Sequence, residues 1–256
     1  MDGKVAFVSG GAGGLGTAIC RQLAAKGVRV AIAEIDHRRA EELASEIATD
    51  GGTAAGVELD ATSSTSVQEA FGQVIEDFGH VDFLIHAAGT EVISPLLELA
   101  EQDWRSVLDT HLTAAFLLCQ AFGHQIVHQG EGGRVVLLSS VAARTPVPDR
   151  GAYSPAKAGL VALAQMLSLE WAQHNINVNA ICPGVTSTPM AKRIYELRPE
   201  LRTQRLRRFP MGREALPDEI ADLALFLCSN NSTYINGTAI TIDGGFLNSG
   251  FMPESA

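Results

Sequence analysis

The sequence predicts one doubly wound α/β domain over residues 1–256, a parallel sheet of about seven strands with helices on both faces. Three observations carry that prediction. Short apolar runs alternate with segments of helical period through most of the chain, as βα units do. The first run leads at once into a glycine-rich turn and then a helical pattern, the order in which a sheet presents a phosphate-binding loop. Glu34, Gly89, Ser140 and Gly184 fall at or just after predicted strand ends, where ligands bind on such sheets.

The elements follow in order. Lys4 to Ser9 is the first strand. Gly10-Gly11-Ala12-Gly13-Gly14-Leu15-Gly16 is the turn, and a helix runs on to Lys26. Glycines let backbone amides approach a pyrophosphate, and the helix N-terminus adds partial positive charge. Val28 to Ala33 is the second strand and ends in Glu34. Its distance from the turn suits a carboxylate that accepts from both hydroxyls of a ribose and repels a 2′-phosphate. Arg38 and Arg39 lie just beyond; they either compensate a 2′-phosphate or occupy an exposed helix face. Ala54 to Leu59 is the third strand, and Asp60 after it either caps the next helix or contacts an adenine. Ser63 to Phe78 is helical, Val81 to His86 is the fourth strand, and Ala87-Ala88-Gly89 closes it with small residues. Asp103 to His128 reads as one long helix. Arg134 to Ser139 is the fifth strand, with Ser140 at its exit. Tyr153 opens a helix to about His174, and Ile176 to Ile181 is the sixth strand, ended by Pro183-Gly184. A variable-looking segment spans Thr186 to Arg213. Pro217 to Cys228 is helical, and Ala239 to Ile242 is the last strand.

Composition narrows the function. Hydrophobic residues make up 46% and charged residues 19%, ordinary for a soluble globular protein. A net charge of −10 argues against nucleic-acid binding, which depends on neutralising phosphates. Cys20, Cys119, Cys182 and Cys228 are scattered in apolar runs, so they read as core residues and no metal site is expected. No apolar stretch reaches the roughly 18 residues of a membrane span. The chain starts on a strand and leaves no room for a leader, so a cytoplasmic location is expected.

The chemistry is placed at Tyr153-Ser-Pro-Ala-Lys157. The i, i+4 spacing puts both side chains on one helix face. An ammonium beside a phenol favours the phenolate and lowers the tyrosine pKa, which makes the phenol a usable acid or base.

Over nearly its whole length the chain resembles the short-chain dehydrogenase/reductase family, and with it the Rossmann fold. Ser9-Gly10-x-x-x-Gly14-x-Gly16 is similar to the family's glycine motif, with serine for threonine. Ser140 stands thirteen positions before Tyr153, as the family's serine does, and Tyr153-x-x-x-Lys157 is similar to its catalytic pair. Pro183-Gly184 with Thr188 resembles the loop that holds the nicotinamide carboxamide and pyrophosphate. The resemblance implies that Tyr153 exchanges a proton with the substrate oxygen, that Ser140 hydrogen-bonds that oxygen, and that Lys157 binds the nicotinamide ribose. It implies cofactor contacts from Gly10, Gly14, Leu15, Gly16, Glu34, Asp60, Ala61, Ala88, Gly89, Tyr153, Lys157, Pro183, Gly184, Val185 and Thr188. NAD(H) is expected over NADP(H), because Glu34 stands where the family's NADP(H) enzymes usually carry basic residues. The family also implies a homodimer or homotetramer built on the two long helices, one of which carries Leu160, Leu163, Leu167 and Trp171 at helical spacing.

Two positions depart from the family. Its catalytic asparagine is His111 here, in His111-Leu112-Thr113-Ala114. A histidine keeps the backbone carbonyl that in the family helps hold a relay water, and its imidazole, titratable near neutrality, either joins the relay or simply packs on the helix. The family's Asn-Asn-Ala-Gly is His86-Ala87-Ala88-Gly89, so the asparagine hydrogen bonds are expected to be lost. The 186–213 segment is the family's substrate lid. Here it carries Lys192, Arg193, Arg198, Arg202, Arg205, Arg207, Arg208 and Arg213, which either attract an anionic substrate or form a solvated helix or subunit contact. Arg144 and Arg150 lie near where the substrate should sit, and Val141, Val147, Met190, Ile194 and Tyr195 are expected pocket walls. Three functions follow: an NAD(H)-dependent oxidoreductase of a secondary alcohol or ketone, a 3-oxoacyl-thioester reductase using NADPH, and a non-catalytic nucleotide-binding regulator.

Overall fold

The computed structural model describes residues 1–197 and 199–251. Arg198, the Arg205 side chain and residues 252–256 of the expected domain lie outside the described residues. The chain forms β1 (Val5–Ser9), α1 (Gly14–Ala25), β2 (Arg29–Glu34), α2 (His37–Thr49), β3 (Thr53–Glu58), α3 (Ser64–Phe78) and β4 (Phe83–His86). There follow α4 (Glu101–Leu108), α5 (Ala114–Gln129), β5 (Gly133–Leu138), α6 (Tyr153–Trp171), β6 (Ile176–Pro183), α7 (Pro189–Leu197), α8 (Pro199–Leu206), α9 (Pro217–Cys228) and β7 (Ala239–Ile242). The sheet has seven strands in the order β3-β2-β1-β4-β5-β6-β7, and every neighbouring pair is parallel.

Parallel strands buried on both faces read as continuous apolar runs, which is why these strands were visible in the sequence. Successive residues of β1 point to opposite faces. Ala6 and Val8 enter the core under α1, α2 and α9, with Ile19, Leu43 and Ile220. Val5 and Phe7 enter the core under α3, α5 and α6, with Phe71, Phe122 and Leu160. The molecule is therefore three layers, helices on each face of one sheet. Between β1 and β4 the strand order reverses direction, and the carboxyl ends of those two strands open the crevice where such folds take ligands.

The expected long helix is interrupted. Asp109–Thr113 forms one π turn between α4 and α5, and the Ala114 N–H bonds to the Asp109 carbonyl. A π turn spends an extra residue per turn and re-aims the backbone around it. His111 lies at its centre. The helix α2, which the sequence had left unassigned, covers β2 and β3. The lid segment holds two short helices, α7 and α8.

Candidate active site

The glycine turn and the loop after β4 close on each other. Gly10 has φ +69°, and a Cβ there would stand 2.5 Å from the Ala88 Cα, so only glycine permits the approach. Helix α1 begins at Gly14 with no side-chain cap and no acidic residue in its first turn, which leaves its N–H groups for an anion. In front of it lies a cavity of about 580 Å³. Of the expected cofactor contacts, Gly10, Gly14, Leu15, Glu34, Asp60, Ala61, Ala88, Gly89 and Thr188 line it, with Tyr153, Lys157 and His111. Gly16 lies behind the wall, where a Cβ would collide with the Gly10 carbonyl. Its role is packing within the turn. The dimensions and the donor set fit an NAD(P) dinucleotide: uncapped helix amides for a pyrophosphate and the Glu34 carboxylate at the far end.

Two polar groups at that far end were not resolved by the sequence. Asp60 Oδ1 accepts from the Thr62 N–H at 2.9 Å and the Thr62 hydroxyl at 2.6 Å; the helix α3 is capped by Ser63 instead. Arg38 turns outward to Glu42 at 2.7 Å, while Arg39 turns inward, donates to the Ala12 carbonyl at 2.6 Å and lines the cavity.

The candidate reaction centre is built from β5, the π turn and α6. Lys157 is buried, and its Nζ donates to the Leu138 carbonyl at 2.6 Å. Loss of water pulls its pKa down to about 7. Its Nζ lies 5.6 Å from the Tyr153 ring centroid. Burial pushes the Tyr153 phenol above its usual range, opposed by the Arg150 guanidinium and a hydrogen bond with Ser140. This reverses the sequence expectation of a phenol lowered by Lys157, because desolvation of the phenolate outweighs the Arg150 charge and the Ser140 hydrogen bond. Ser140 is itself fixed, accepting from the Ala142 N–H at 3.1 Å.

The two histidines are coupled. His86 Nε2 lies 3.0 Å from the His111 carbonyl, and a carbonyl only accepts, so that nitrogen carries the proton. His86 Nδ1 then accepts from the Ser9 hydroxyl at 2.9 Å. The expected loss of hydrogen bonds at this position is thus corrected: the imidazole reaches partners on both sides. The His111 ring packs on Gly89, donates from Nε2 to the Thr90 carbonyl at 2.7 Å and meets Tyr153 edge-on at 5.5 Å. Its Nδ1 has no hydrogen-bond partner among the described residues. Burial and the Lys157 charge hold the His111 pKa well below the usual histidine range, so the imidazole does not titrate near neutrality, contrary to expectation.

A second cavity of about 480 Å³ adjoins the first and shares Leu15, Ser139, Tyr153, Thr188 and Met190 with it. Ser140, Pro183, Gly184 and Val185 line this one. Val141, Val147, Met190 and Ile194 form apolar wall as expected; Tyr195 does not, and Ile93, Leu201 and Phe246 do. Among the described residues, most of the basic ones do not line this cavity. Arg144 turns away to the Ala239 carbonyl at 3.0 Å, Arg213 forks onto Glu219 with two contacts of 2.7 Å, and Arg202 lies 3.6 Å from Glu214. Arg208 and Arg150 do line the cavity, Arg208 lying over the Phe246 ring. Glu91, which pairs with Arg150, was missed, since a lone carboxylate in a loop carries no spacing signal. The four cysteines are buried and free; burial pushes Cys119 and Cys228 up to about 12, so they are inert packing groups.

The chain matches, over residues 10–247, the family profile described as enoyl-(acyl carrier protein) reductase. It is 38% identical to D-threitol dehydrogenase of Mycolicibacterium smegmatis, covering 96% of this chain and 94% of that one. It is 35% identical to a 3-oxoacyl-[acyl-carrier-protein] reductase of Aquifex aeolicus, over 96% and 98% of the two chains. A crystal structure of a short-chain type dehydrogenase/reductase from Mycobacterium marinum superposes with a TM-score of 0.91 at 29% identity, over 98% of this chain and 97% of that one. Among the described residues no helix is long and apolar enough to cross a membrane. With two cavities meeting at a half-buried tyrosine and relatives of this kind along nearly its full length, the chain belongs to the short-chain dehydrogenase/reductase family and is an NAD(P)-dependent oxidoreductase of hydroxyl and keto groups.

Proposed function

We propose that the enzyme interconverts a secondary alcohol and its ketone with NAD(H), using Tyr153 to pass a proton to and from the substrate oxygen. The observation that supports this reading is the position of Tyr153 on the wall shared by the dinucleotide cavity and the apolar cavity. A substrate in the second cavity meets a cofactor in the first across that wall, within reach of the phenol. Bound nicotinamide supplies the hydride donor or acceptor. Ser140 hydrogen-bonds the substrate oxygen and steadies charge that develops on it. Lys157 orients the ribose, and its ammonium favours the phenolate form of Tyr153 when that form is needed. His111 holds the edge of the tyrosine ring. The NAD(H) assignment rests on Glu34 in the cavity wall, since a 2′-phosphate beside a carboxylate costs Coulomb energy. A second reading, 3-oxoacyl-thioester reduction with NADPH, is favoured by one observation, the inward-turned Arg39.

The test is a turnover screen with D-threitol, hydroxysteroids and 3-oxoacyl thioesters, followed by Tyr153→Phe on whichever is used. The substitution removes only the hydroxyl, so NAD(H) affinity should persist while kcat falls by at least about 10²-fold, the lower bound for general acid–base catalysis. Near-normal turnover of Tyr153→Phe would place the chemistry elsewhere.

A further inference from the structure

The segment that leaves β4 reaches both sides of Tyr153. The Thr90 carbonyl accepts from His111 Nε2, and His111 meets the tyrosine edge-on. Glu91, the next residue, is buried and ion-paired with Arg150. The Arg150 guanidinium lies over the tyrosine ring, 4.9 Å from its centroid. Ser94 then donates its N–H to the Asp149 carbonyl at 3.0 Å and bridges to Arg150. The turn that presents Arg150 is tightly specified, with Asp149 at φ +60° and Gly151 at φ +48°. One short stretch therefore fixes the two groups that flank the phenol.

Neither charge of the pair is explained by stability. Taking two charges out of water costs several kcal/mol per ion, and such a pair is often no better than an apolar one. Charged groups withdrawn from water beside a reactive residue are typical of sites that tune acidity. The charged and titratable groups facing Tyr153 are Arg150 from the preceding turn, Lys157 on its own helix and His111 from the π turn. His111 is held neutral by burial. Lys157 lies farther from the ring centroid than Arg150 does. Of the two cations facing Tyr153, Arg150 is the one with a carboxylate partner among the ion pairs described.

Resting on the reading of Tyr153 as the acid–base group, we infer that Glu91 and Arg150 are positioning residues that together set its acidity: Arg150 holds the phenol's titration down by its charge and its place on the ring, and Glu91 both aims that guanidinium and limits its field. The effect of burial on the phenol is opposed first by Arg150, in keeping with this assignment. A structural pair and a tuning pair differ in sign. Removing Arg150 raises the tyrosine pKa; removing the Glu91 charge unmasks Arg150 and lowers it.

The experiment is a spectrophotometric titration of tyrosinate absorbance, with no substrate required. The chain has three tyrosines, and subtracting the titration of Tyr153→Phe isolates Tyr153. Glu91→Gln should move its pKa down by about one unit and Arg150→Gln up by about one unit, at the low end of the effect of an adjacent charge. Glu91→Gln is the decisive arm, because its shift runs toward neutral pH and away from alkaline unfolding. Arg150→Lys, which keeps the charge but not the planar fork, should fall between Arg150→Gln and the wild type. Near-ultraviolet circular dichroism at each pH follows the fold. No shift in Glu91→Gln, a shift in the same direction in both variants, or loss of fold in both would make the pair merely structural and overturn the inference. Because the readout is the phenol itself, these outcomes are separate from the turnover of Tyr153→Phe, which tests the catalytic reading.

Discussion

Lys157 on α6 and His86 at the end of β4 are both buried, and each loses charge by it. Burial takes the Lys157 pKa to about 7, whereas an unfolded lysine titrates near ~10.4. Between those values the unfolded chain binds the extra proton, so stability rises with pH across that window and is lost as pH falls toward 7. Burial takes His86 to about 4, against ~6.5 unfolded. Stability is then complete above ~6.5 and falls as the solution is acidified toward 4. The expected outcome is a melting temperature that climbs on both limbs. Lys157→Met should flatten the alkaline one, and His86→Asn the acid one. Thermal melts by circular dichroism from pH 4 to 10 check this; an unchanged slope in either variant would mean that the corresponding group is not buried as described. Tyr153 and Lys157 were legible in the sequence because i, i+4 spacing fixes a shared helix face. Their charge states were not, because desolvation depends on what the rest of the chain places around them.

At the scale of elements, the end of β2 and the start of α2 decide the cofactor. Glu34 closes β2 in the cavity wall, and Arg39 from the first turn of α2 reaches back to the glycine turn. With its guanidinium engaged on the Ala12 carbonyl, Arg39 is an incomplete partner for a 2′-phosphate, and NAD(H) should bind more tightly than NADP(H). Dissociation constants for both, at one ionic strength, measure the preference. Glu34→Ala should weaken the discrimination and Arg39→Ala should strengthen it; tighter NADPH binding by the wild type would favour the thioester-reductase reading. Glu34 was readable from its distance to the glycines. Arg39 was not, since two adjacent arginines at a helix start face nearly 100° apart and only packing shows which one turns inward. The π turn at His111 was equally silent, as its one extra residue shifts the phase of the apolar pattern without interrupting the run of helix-forming residues.

Over the whole molecule, the apolar stripe of α6, which core burial was expected to explain in part, packs wholly in or against the core. Leu160 and Leu167 are buried under the sheet, and Leu163 and Trp171 pack against the same cluster. The apolar groups left on α5 and α6 are Phe116, Val127, Met166 and Leu169, exposed by 47%, 44%, 56% and 79%. These exposed apolar side chains on two neighbouring helices suit a two-fold contact between copies. Multi-angle light scattering at micromolar concentration should give a dimer or tetramer, and Leu169→Glu should shift it toward monomer. A monomeric wild type would refute the assembly.

What the sequence determined by itself is local in origin. Continuous apolar runs specified buried parallel strands, glycines beside a helix start specified a dinucleotide turn, and fixed spacings singled out Glu34, Tyr153 and Lys157, while the family resemblance singled out Ser140. Each of these patterns acts over a few residues, so it survives in a one-dimensional reading. The tertiary structure alone decided that His86 bonds to the His111 carbonyl, that Glu91 meets Arg150 over the tyrosine ring, and that Arg202 and Arg213 of the lid face carboxylates while Arg208 lines the cavity. It also reversed the direction of the Tyr153 shift. Those outcomes depend on groups far apart in the chain being brought together and on how much water is removed when they meet, and neither quantity exists until the sheet and its helices have packed.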